Sequence, residues 1–220
     1  MECIESPHNR TFKHLHRLAI DNHYRRKNGL LIVEGKKEID SALAHGYPIE
    51  LLCFDQKHLN NNEQKNYAYI PSITLHHQLF SKLVYRENSS SVIGIFKEPD
   101  LSLTNINLSP QPLIVILEGI EKPGNVGAIL RTCDAVKADA VIVSGKNHSF
   151  FHPNTIRSSV GTLFSMQLAV GYEEEILQWC KLHHIKIYSA ALQTNSLYTQ
   201  VDYTGGTAFV MGAEDKGLEE

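Results

Sequence analysis

No apolar run in this chain approaches the roughly 18–20 residues that a membrane-spanning helix needs; the longest clear one is Leu113 to Leu117. The opening residues Met1-Glu2-Cys3-Ile4-Glu5 are acidic and hold no apolar core, so neither a signal peptide nor an anchor is expected. Cysteine is scarce as well. Cys3, Cys53, Cys133 and Cys180 are spread along the chain with no CxxC spacing, which argues against a zinc ribbon, a thioredoxin-type pair and a secreted disulfide framework. They are expected to be reduced thiols, mostly packed as small apolar groups, in a soluble cytosolic protein. What is present is a chain of 220 residues, 42% of them apolar, enough for a substantial core and for one or two domains.

The net charge of −3 conceals a division. Residues 1 to 37 hold eight Lys or Arg (Arg10, Lys13, Arg17, Arg25, Arg26, Lys27, Lys36, Lys37) against four acids, so a basic N-terminal segment precedes an acidic body of charge −7. His8, His14, His16 and His23 share the segment, and protonation beside a phosphate-rich partner would add to its charge. An ordinary solvated helix face has the same composition.

Residues 7 to 28 read as one helix: Pro7 opens it, Phe12, Leu15, Leu18 and Ala19 recur at helical spacing, and Asn28-Gly29 closes it, with the basic residues on the other face. Leu30 to Val33 reads as a buried strand, followed by a helix from Lys36 to His45, a strand from Ile49 to Phe54, a helix near His77 to Val84 and a strand from Val92 to Phe96. This first module, residues 1–98, is a small α/β unit. Residues 99–112, with three prolines and no sustained apolar period, read as a linker. From 113 to 220 the alternation is regular: strand Leu113 to Leu117, helix Asn125 to Lys137, strand Ala140 to Val143, a helix around Thr155 to Gly161, strand Met166 to Val170, helix Glu173 to His184, and strands Lys186 to Ala190 and Thr207 to Met211. Such alternation predicts a parallel sheet covered on both faces, with ligands outside the carboxyl ends of its strands.

The richest segment runs from Leu117 through Glu118-Gly119-Ile120-Glu121-Lys122-Pro123-Gly124-Asn125-Val126-Gly127 to Arg131. It leaves a strand, turns at Pro123-Gly124 and enters a helix at Asn125, whose side chain is suited to capping the first turn. The glycine spacing is GxxxxGxxG rather than GxGxxG, and Val143 leads into Ser144-Gly145-Lys146-Asn147 with no acid for a ribose, which disfavours a nicotinamide or flavin enzyme. No Gly-Lys-Ser/Thr completes a phosphate loop. His148 and His152 stand four apart, but Phe150-Phe151 and Pro153 make this a loop with no third ligand adjacent, so no metal is expected there. Cys133 has no histidine at a fixed spacing and reads as packing. Glu173-Glu174-Glu175 is favourable charge at a helix start.

With these residues in view, the sequence resembles the SpoU (TrmH-type) RNA ribose methyltransferases. Asn125, Gly127 and Arg131 reproduce the NxGxxxR pattern in its strand-to-helix setting. Arg157-Ser158-Ser159-Val160-Gly161 is similar to the RxSxG segment, and Val210-Met211-Gly212-Ala213-Glu214-Asp215-Lys216-Gly217-Leu218 is similar to the second motif, GxExxGL. The basic stretch Asn9 to Arg26 and Leu31-Ile32-Val33-Glu34-Gly35 resemble the substrate-binding domain that precedes the catalytic one in many members. The resemblance covers almost the whole chain. It implies an N-terminal RNA-binding domain (1–98), a linker (99–112) and a methyltransferase domain (113–220) of the trefoil-knot family. The third motif of the family, rich in Ser, Leu and Asn, does not follow Leu218 before Glu220, so the expectation is a truncated stretch of a longer protein with knot and donor pocket incomplete.

The implied chemistry is S-adenosylmethionine-dependent 2′-O-methylation of ribose in structured rRNA or tRNA. The resemblance gives Arg131 the central role, gripping a phosphate bidentately and stabilising a developing alkoxide. Asn125 orients it, and Glu214 fixes the second loop by accepting backbone amides or by pairing with Arg131 across a subunit boundary. Met211, Gly212, Gly217 and Leu218 lie along the donor, where glycine permits close approach. Arg10, Lys13, Arg17, Arg25, Arg26, Arg157 and Ser159 are the candidate RNA contacts. In-line methyl transfer needs alignment rather than a metal. A homodimer with sites near the subunit boundary, and no membrane partner, are implied in turn. The competing reading is an RNA-binding module of the same fold without a working donor pocket.

Overall fold

The computed structural model describes residues 3–59, 65–85, 90–120, 122–145, 150–191 and 197–218. It divides into two compact units: residues 1–99 with 151–164, and residues 100–150 with 165–220. None of the helices among the described residues is long and apolar enough to cross a membrane.

The first unit is built on a five-stranded mixed sheet. Its elements are β1 (Cys3–Ile4), α1 (Arg10–Ile20), α2 (Asn22–Asn28), β2 (Leu30–Glu34), α3 (Lys36–Ala44), β3 (Ile49–Asp55), β4 (Ser72–Leu75), α4 (His77–Phe80) and β5 (Val92–Lys97). The strand order is β1-β4-β3-β5-β2, with β1, β4 and β3 parallel and β5 antiparallel to both β3 and β2. Phe12, Leu15 and Leu18 of α1 bury their stripe against Leu30, Ile32, Cys53, Ile73 and Ile95, as their helical spacing requires.

Two local expectations fail here for identifiable reasons. The helix expected over 7–28 is two helices, because Asp21 leaves helical geometry at φ −116°, ψ 103° and its carboxylate accepts the Tyr24 amide at 2.9 Å to start the second one. Its start is set by Asn9, whose Oδ1 accepts the amides of Thr11 and Phe12, rather than by Pro7. The second failure is Arg25, expected on the solvated basic face. Its residue is only 5% exposed, and its guanidinium donates to the carbonyls of Leu18 and Ala19 and to Asn22. The break at Asp21 turns Arg25 back onto the end of α1, where it satisfies carbonyls that the helix leaves unpaired.

The second unit is a parallel sheet of β6 (Leu113–Leu117), β7 (Ala140–Ser144), β8 (Gln167–Gly171), β9 (Lys186–Ser189) and β10 (Thr207–Met211) in the order β8-β7-β6-β10-β9. The near-continuous apolar strands have the composition of a sheet buried on both faces. Helix α5 (Pro123–Ala135) buries Val126, Gly127, Leu130 and Cys133, and the later helix Glu173–Leu182 buries Ile176, Trp179 and Cys180 against Ile114, Ile116, Ile142 and Ala208.

Residues 100–112 are not a free linker. Leu103, Ile106 and Leu108 pack onto this core, the Leu101 carbonyl accepts the Val170 amide at 2.9 Å, and Asn107 exchanges two 2.8 Å hydrogen bonds with Gln167. Irregularly spaced leucines laid along the surface as an extended strap show no period, which is why the stretch reads as a linker.

The helix expected around Thr155 to Gly161 is observed as α6 (Pro153–Ser158) and a short turn of helix, α7 (Thr162–Ser165). Residues 151–164 group with the first unit rather than with the sheet that flanks them in sequence. The Ser41 hydroxyl donates to the Gly161 carbonyl at 2.9 Å, and the Tyr47 ring meets Phe164 edge-on at 5.0 Å.

Candidate active site

The order of the second sheet creates one topological switch. From β6 the chain moves outward to β7 and β8, then returns on the opposite side as β9 and β10. Adjacent parallel strands whose connections depart in opposite directions leave a crevice at their carboxyl ends. Here it lies beyond β6 and β10, paired from Thr207↔Leu113 to Met211↔Leu117 and extended by the Glu118 amide on the Met211 carbonyl at 3.0 Å. A cleft of about 560 Å³ opens there, lined by Gly119, Ile120, Lys122, Asn125 and Ile129 on one side and by residues 211–215 on the other.

Each wall has a local cause. Gly119 takes φ +64°, a left-handed turn that carries the chain off β6 towards α5. Pro123 occupies the first helical position, where its missing N–H costs nothing. The residue preceding the helix is therefore Lys122, and Asn125 sits inside the first turn and makes no side-chain cap, contrary to expectation. Its amide instead points across the cleft to Glu214, at 3.5 Å.

The opposite wall is a tight loop closed by reciprocal hydrogen bonds between Ala213 and Gly217, at 2.8 and 3.0 Å. Gly212 makes this closure possible, since a Cβ there would lie 2.3 Å from the Gly217 carbonyl carbon and 2.6 Å from the Leu218 nitrogen. Glu214 is the charged tip of the loop. Its Oε2 receives the Lys122 ammonium at 2.6 Å, and that hydrogen bond, then the lysine charge and Asn125, hold its carboxyl below the usual glutamate range.

Of the residues proposed from the sequence, Asn125, Glu214, Met211 and Gly212 meet at this cleft, and Gly217 and Leu218 pack against Gly212. Arg131 lies on the same helix but is exposed and is not among the residues lining the cleft; at about 100° per residue its Cα–Cβ direction is turned by roughly 120° from Asn125 and 160° from Ile129. Lys122 went unremarked in the sequence; as the residue before Pro123 at a helix start, facing an acidic second motif, it was the available signal. Cys133 is buried, which pushes its thiol up to about 11 and leaves it inert packing.

The RNA-contact candidates divide. Arg10, Lys13 and Arg17 are exposed along α1; Arg17 pairs with Asp21 at 3.5 Å and lies 4.3 Å over the Tyr24 ring. Arg26 is half-buried, and Arg157 is exposed on α6. Ser159, expected at the RNA, is fully buried with its hydroxyl on the Ile156 carbonyl at 2.7 Å, a helix-end contact rather than a ligand. His152 caps α6 by accepting the Asn154 amide, and burial, then the Arg25 charge, lower its pKa; His148 lies outside the described residues.

A fully parallel sheet with its crevice at a switch point, two glycine-bearing loops lining that crevice, and a separate mixed-sheet unit presenting basic side chains together define a two-unit α/β protein with a ligand cleft at the carboxyl ends of its second sheet. Comparison with known proteins identifies the class. Residues 112–220 match the model of the SpoU rRNA methylase family, and residues 9–94 match the MRM3-like substrate binding domain. The chain belongs to the SpoU rRNA methylase family.

It is 24% identical over 220 residues to the 23S rRNA (guanosine(2553)-2′-O)-methyltransferase RlmP of Bacillus subtilis strain 168, spanning 100% of this chain and 85% of that one. The crystal structure of the SpoU methyltransferase AviRb from Streptomyces viridochromogenes in complex with AdoMet is 25% identical, with a TM-score of 0.89 over 96% of this chain and 84% of that one. A crystal structure of an RNA 2′-O ribose methyltransferase is 32% identical, with a TM-score of 0.81 over 99% and 84%.

Proposed function

We propose that this protein transfers a methyl group from S-adenosylmethionine to a ribose 2′-hydroxyl of structured ribosomal or transfer RNA. The observation that supports it most directly is the meeting of Asn125, which opens the NxGxxxR segment, with Gly212 and Glu214 of the GxExxGL segment, far apart in sequence, on one cleft at the switch point of the second sheet. Relatives that align with nearly the whole chain are 23S rRNA 2′-O-methyltransferases, one of a guanosine and one of a uridine, and the AviRb structure holds AdoMet.

The cleft supplies two walls of a site for such a donor. Its volume of about 560 Å³ is within the usual range for a small-molecule site, and its walls combine Ile120, Ile129 and Met211 with glycine backbone that allows close approach. Met211, Gly212, Gly217 and Leu218 would hold the donor from the β10 side. When bound, the donor supplies an electrophilic methyl group on a sulfonium.

The protein's own residues do the rest. Glu214, held by Lys122 and Asn125, fixes the β10 loop against the start of α5. Arg131 binds the phosphate beside the target ribose and offers a guanidinium to the 2′-oxygen as its proton passes to that phosphate of the RNA; a guanidinium stays protonated near neutral pH, so it stabilises charge instead of acting as a base. Because Arg131 starts from a different face of α5 than the cleft-lining Asn125 and Ile129, this role is filled across a homodimer, one protomer serving the cleft of its partner. Arg10, Lys13, Arg17 and Arg26 grip RNA phosphates by charge and position the substrate.

The test is transfer of labelled methyl from S-adenosylmethionine to unmodified ribosomal and transfer RNA, with the product mapped by its resistance to alkaline cleavage. One resistant nucleotide is expected. RNA binding with no heat on titration of S-adenosylmethionine and no transfer would establish the binding-module reading instead.

A further inference from the structure

At the carboxyl edge of the first sheet, three metal-ligating side chains converge, none of them given a role above. The β3–β4 pairing places Asp55 opposite Leu75, so the chain reaches His77, two residues on, directly beside the Asp55 carboxylate. A 3₁₀ turn over Gln56–His58 folds His58 back onto the same oxygen. Nδ1 of His58 lies 2.7 Å, and Nδ1 of His77 2.8 Å, from Asp55 Oδ2, and the three ligand atoms all lie within 4.8 Å of one another.

The carboxylate is anchored from behind, because Oδ1 accepts the Lys57 amide at 3.0 Å. An oriented first ligand of this kind is what metal sites use to fix their geometry. The Asp55 carboxylate is only 1% exposed, and among the described residues its ion-pair partners are these two rings alone. A buried carboxylate is costly unless it is paired and hydrogen-bonded, and Asp55 is surrounded by groups that can also ligate a cation. Neutral imidazoles supply hydrogen bonds but no charge, whereas a cation supplies charge and accepts both nitrogens as ligands.

We propose that Asp55, His58 and His77 form a binding site for a divalent transition metal of the zinc type. Two imidazoles and one carboxylate are a borderline N/O set suited to such ions rather than to magnesium or calcium. The present separations are shorter than the roughly 3.3 Å between ligands of a tetrahedral ion with bonds of about 2.0–2.1 Å, so the two rings move outward by about half an ångström to admit the ion. They are free to do so on their solvent side, His58 being 45% and His77 30% exposed, and His77 also borders an open cleft of about 650 Å³ that gives access. Water completes the coordination. The ion ties the turn after β3 to the start of α4 and so stiffens this edge of the first unit.

The test uses the untagged full chain in a Cys3→Ser background, which removes the exposed thiol, stripped with chelator and titrated with zinc and with cobalt(II). One equivalent is expected to bind, with a ligand-field spectrum lacking sulfur charge-transfer bands and with a rise in the unfolding temperature. His58→Gln and His77→Gln, whose folding is checked by circular dichroism, each weaken binding ten-fold or more and abolish the temperature rise. Absence of saturable binding, or equal affinity in His58→Gln, overturns the proposal. An unfolding temperature that responds to pH but not to zinc does the same, leaving a hydrogen-bonded trio.

Discussion

The Lys122 ammonium and the Glu214 carboxylate meet at 2.6 Å, although 92 positions separate them in the chain. The contact joins the residue preceding α5 to the tip of the loop after β10. A lysine at a helix N-terminus is unfavourably placed against the helix dipole, and a carboxylate facing it offsets both the charge and the dipole.

The pair is largely exposed, so its value is positional, and titration reveals it. The Glu214 carboxyl is expected to titrate below the ordinary glutamate value in a side-chain NMR experiment, and Lys122→Met returns it upward. Because the folded value is lowered, the contact is complete at neutral pH and is lost only as pH falls through that lowered value. Affinity for S-adenosylmethionine is accordingly expected to be flat from pH 6 to 8 and to weaken in acid. Loss of affinity between pH 6 and 8 in the wild type, absent in Glu214→Gln, would contradict this account.

Gly212→Ala tests the loop directly. A methyl group 2.3 Å from the Gly217 carbonyl carbon has no room, and the obstacle is backbone, which cannot rotate aside. The Ala213–Gly217 closure must open. Affinity for S-adenosylmethionine is expected to fall at least ten-fold in calorimetry while the sheet persists, since the loop lies beyond the ends of β6 and β10. Gly46→Ala, at a left-handed turn with open space around it, costs only the backbone strain, about 1–2 kcal/mol, and leaves donor binding unchanged.

Arg25 and its neighbours separate a structural cation from electrostatic ones. Arg25→Ala removes charge-assisted hydrogen bonds to the Leu18 and Ala19 carbonyls at a buried site and is expected to destabilise the protein by roughly 2 kcal/mol in denaturant unfolding. Lys13→Ala and Arg10→Ala, both exposed, leave stability within about 0.5 kcal/mol. Each of the latter lowers the slope of log affinity for RNA against log salt by about one unit if it contacts a phosphate. Arg25→Ala, measured where it is folded, leaves the slope unchanged. A reduced slope for Arg25 would return it to the RNA surface.

The contrast between Arg25 and Lys13 also marks how far the sequence could be read. The parallel sheet of the second unit was legible because strands buried on both faces are continuous apolar runs, and the two loops of the cleft were legible as motifs. The short β1 and β4 were not, since two and four residues have no period. The break at Asp21 lies past the last residue of the apolar spacing, Ala19, in a polar stretch with no period to mark it, and it is what turns Arg25 away from solvent. Lys122–Glu214 and Asp55–His77 are products of strand order and register, which no local pattern encodes. The place of residues 151–164 depends on Tyr47 and Ser41, more than a hundred positions away, for the same reason.

Arg131 provides the decisive functional test, because its exposure predicts one result for folding and its proposed role another for turnover. Its side chain buries nothing in the core, so Arg131→Ala is expected to unfold at the wild-type temperature. Loss of a guanidinium from a developing alkoxide and its phosphate should lower turnover by about three orders of magnitude, about 4 kcal/mol in the barrier, with donor affinity unchanged. If the arginine of one protomer completes the cleft of another, two inactive variants repair each other. A mixture of Arg131→Ala with Gly212→Ala chains forms heterodimers containing one site with both wild-type groups, and activity should return to about a quarter of the wild-type level at equal proportions. Arg131 acting within its own chain would give no recovery in any mixture, and the proposed division of the site between subunits would fall while the assignment of the cleft itself stood.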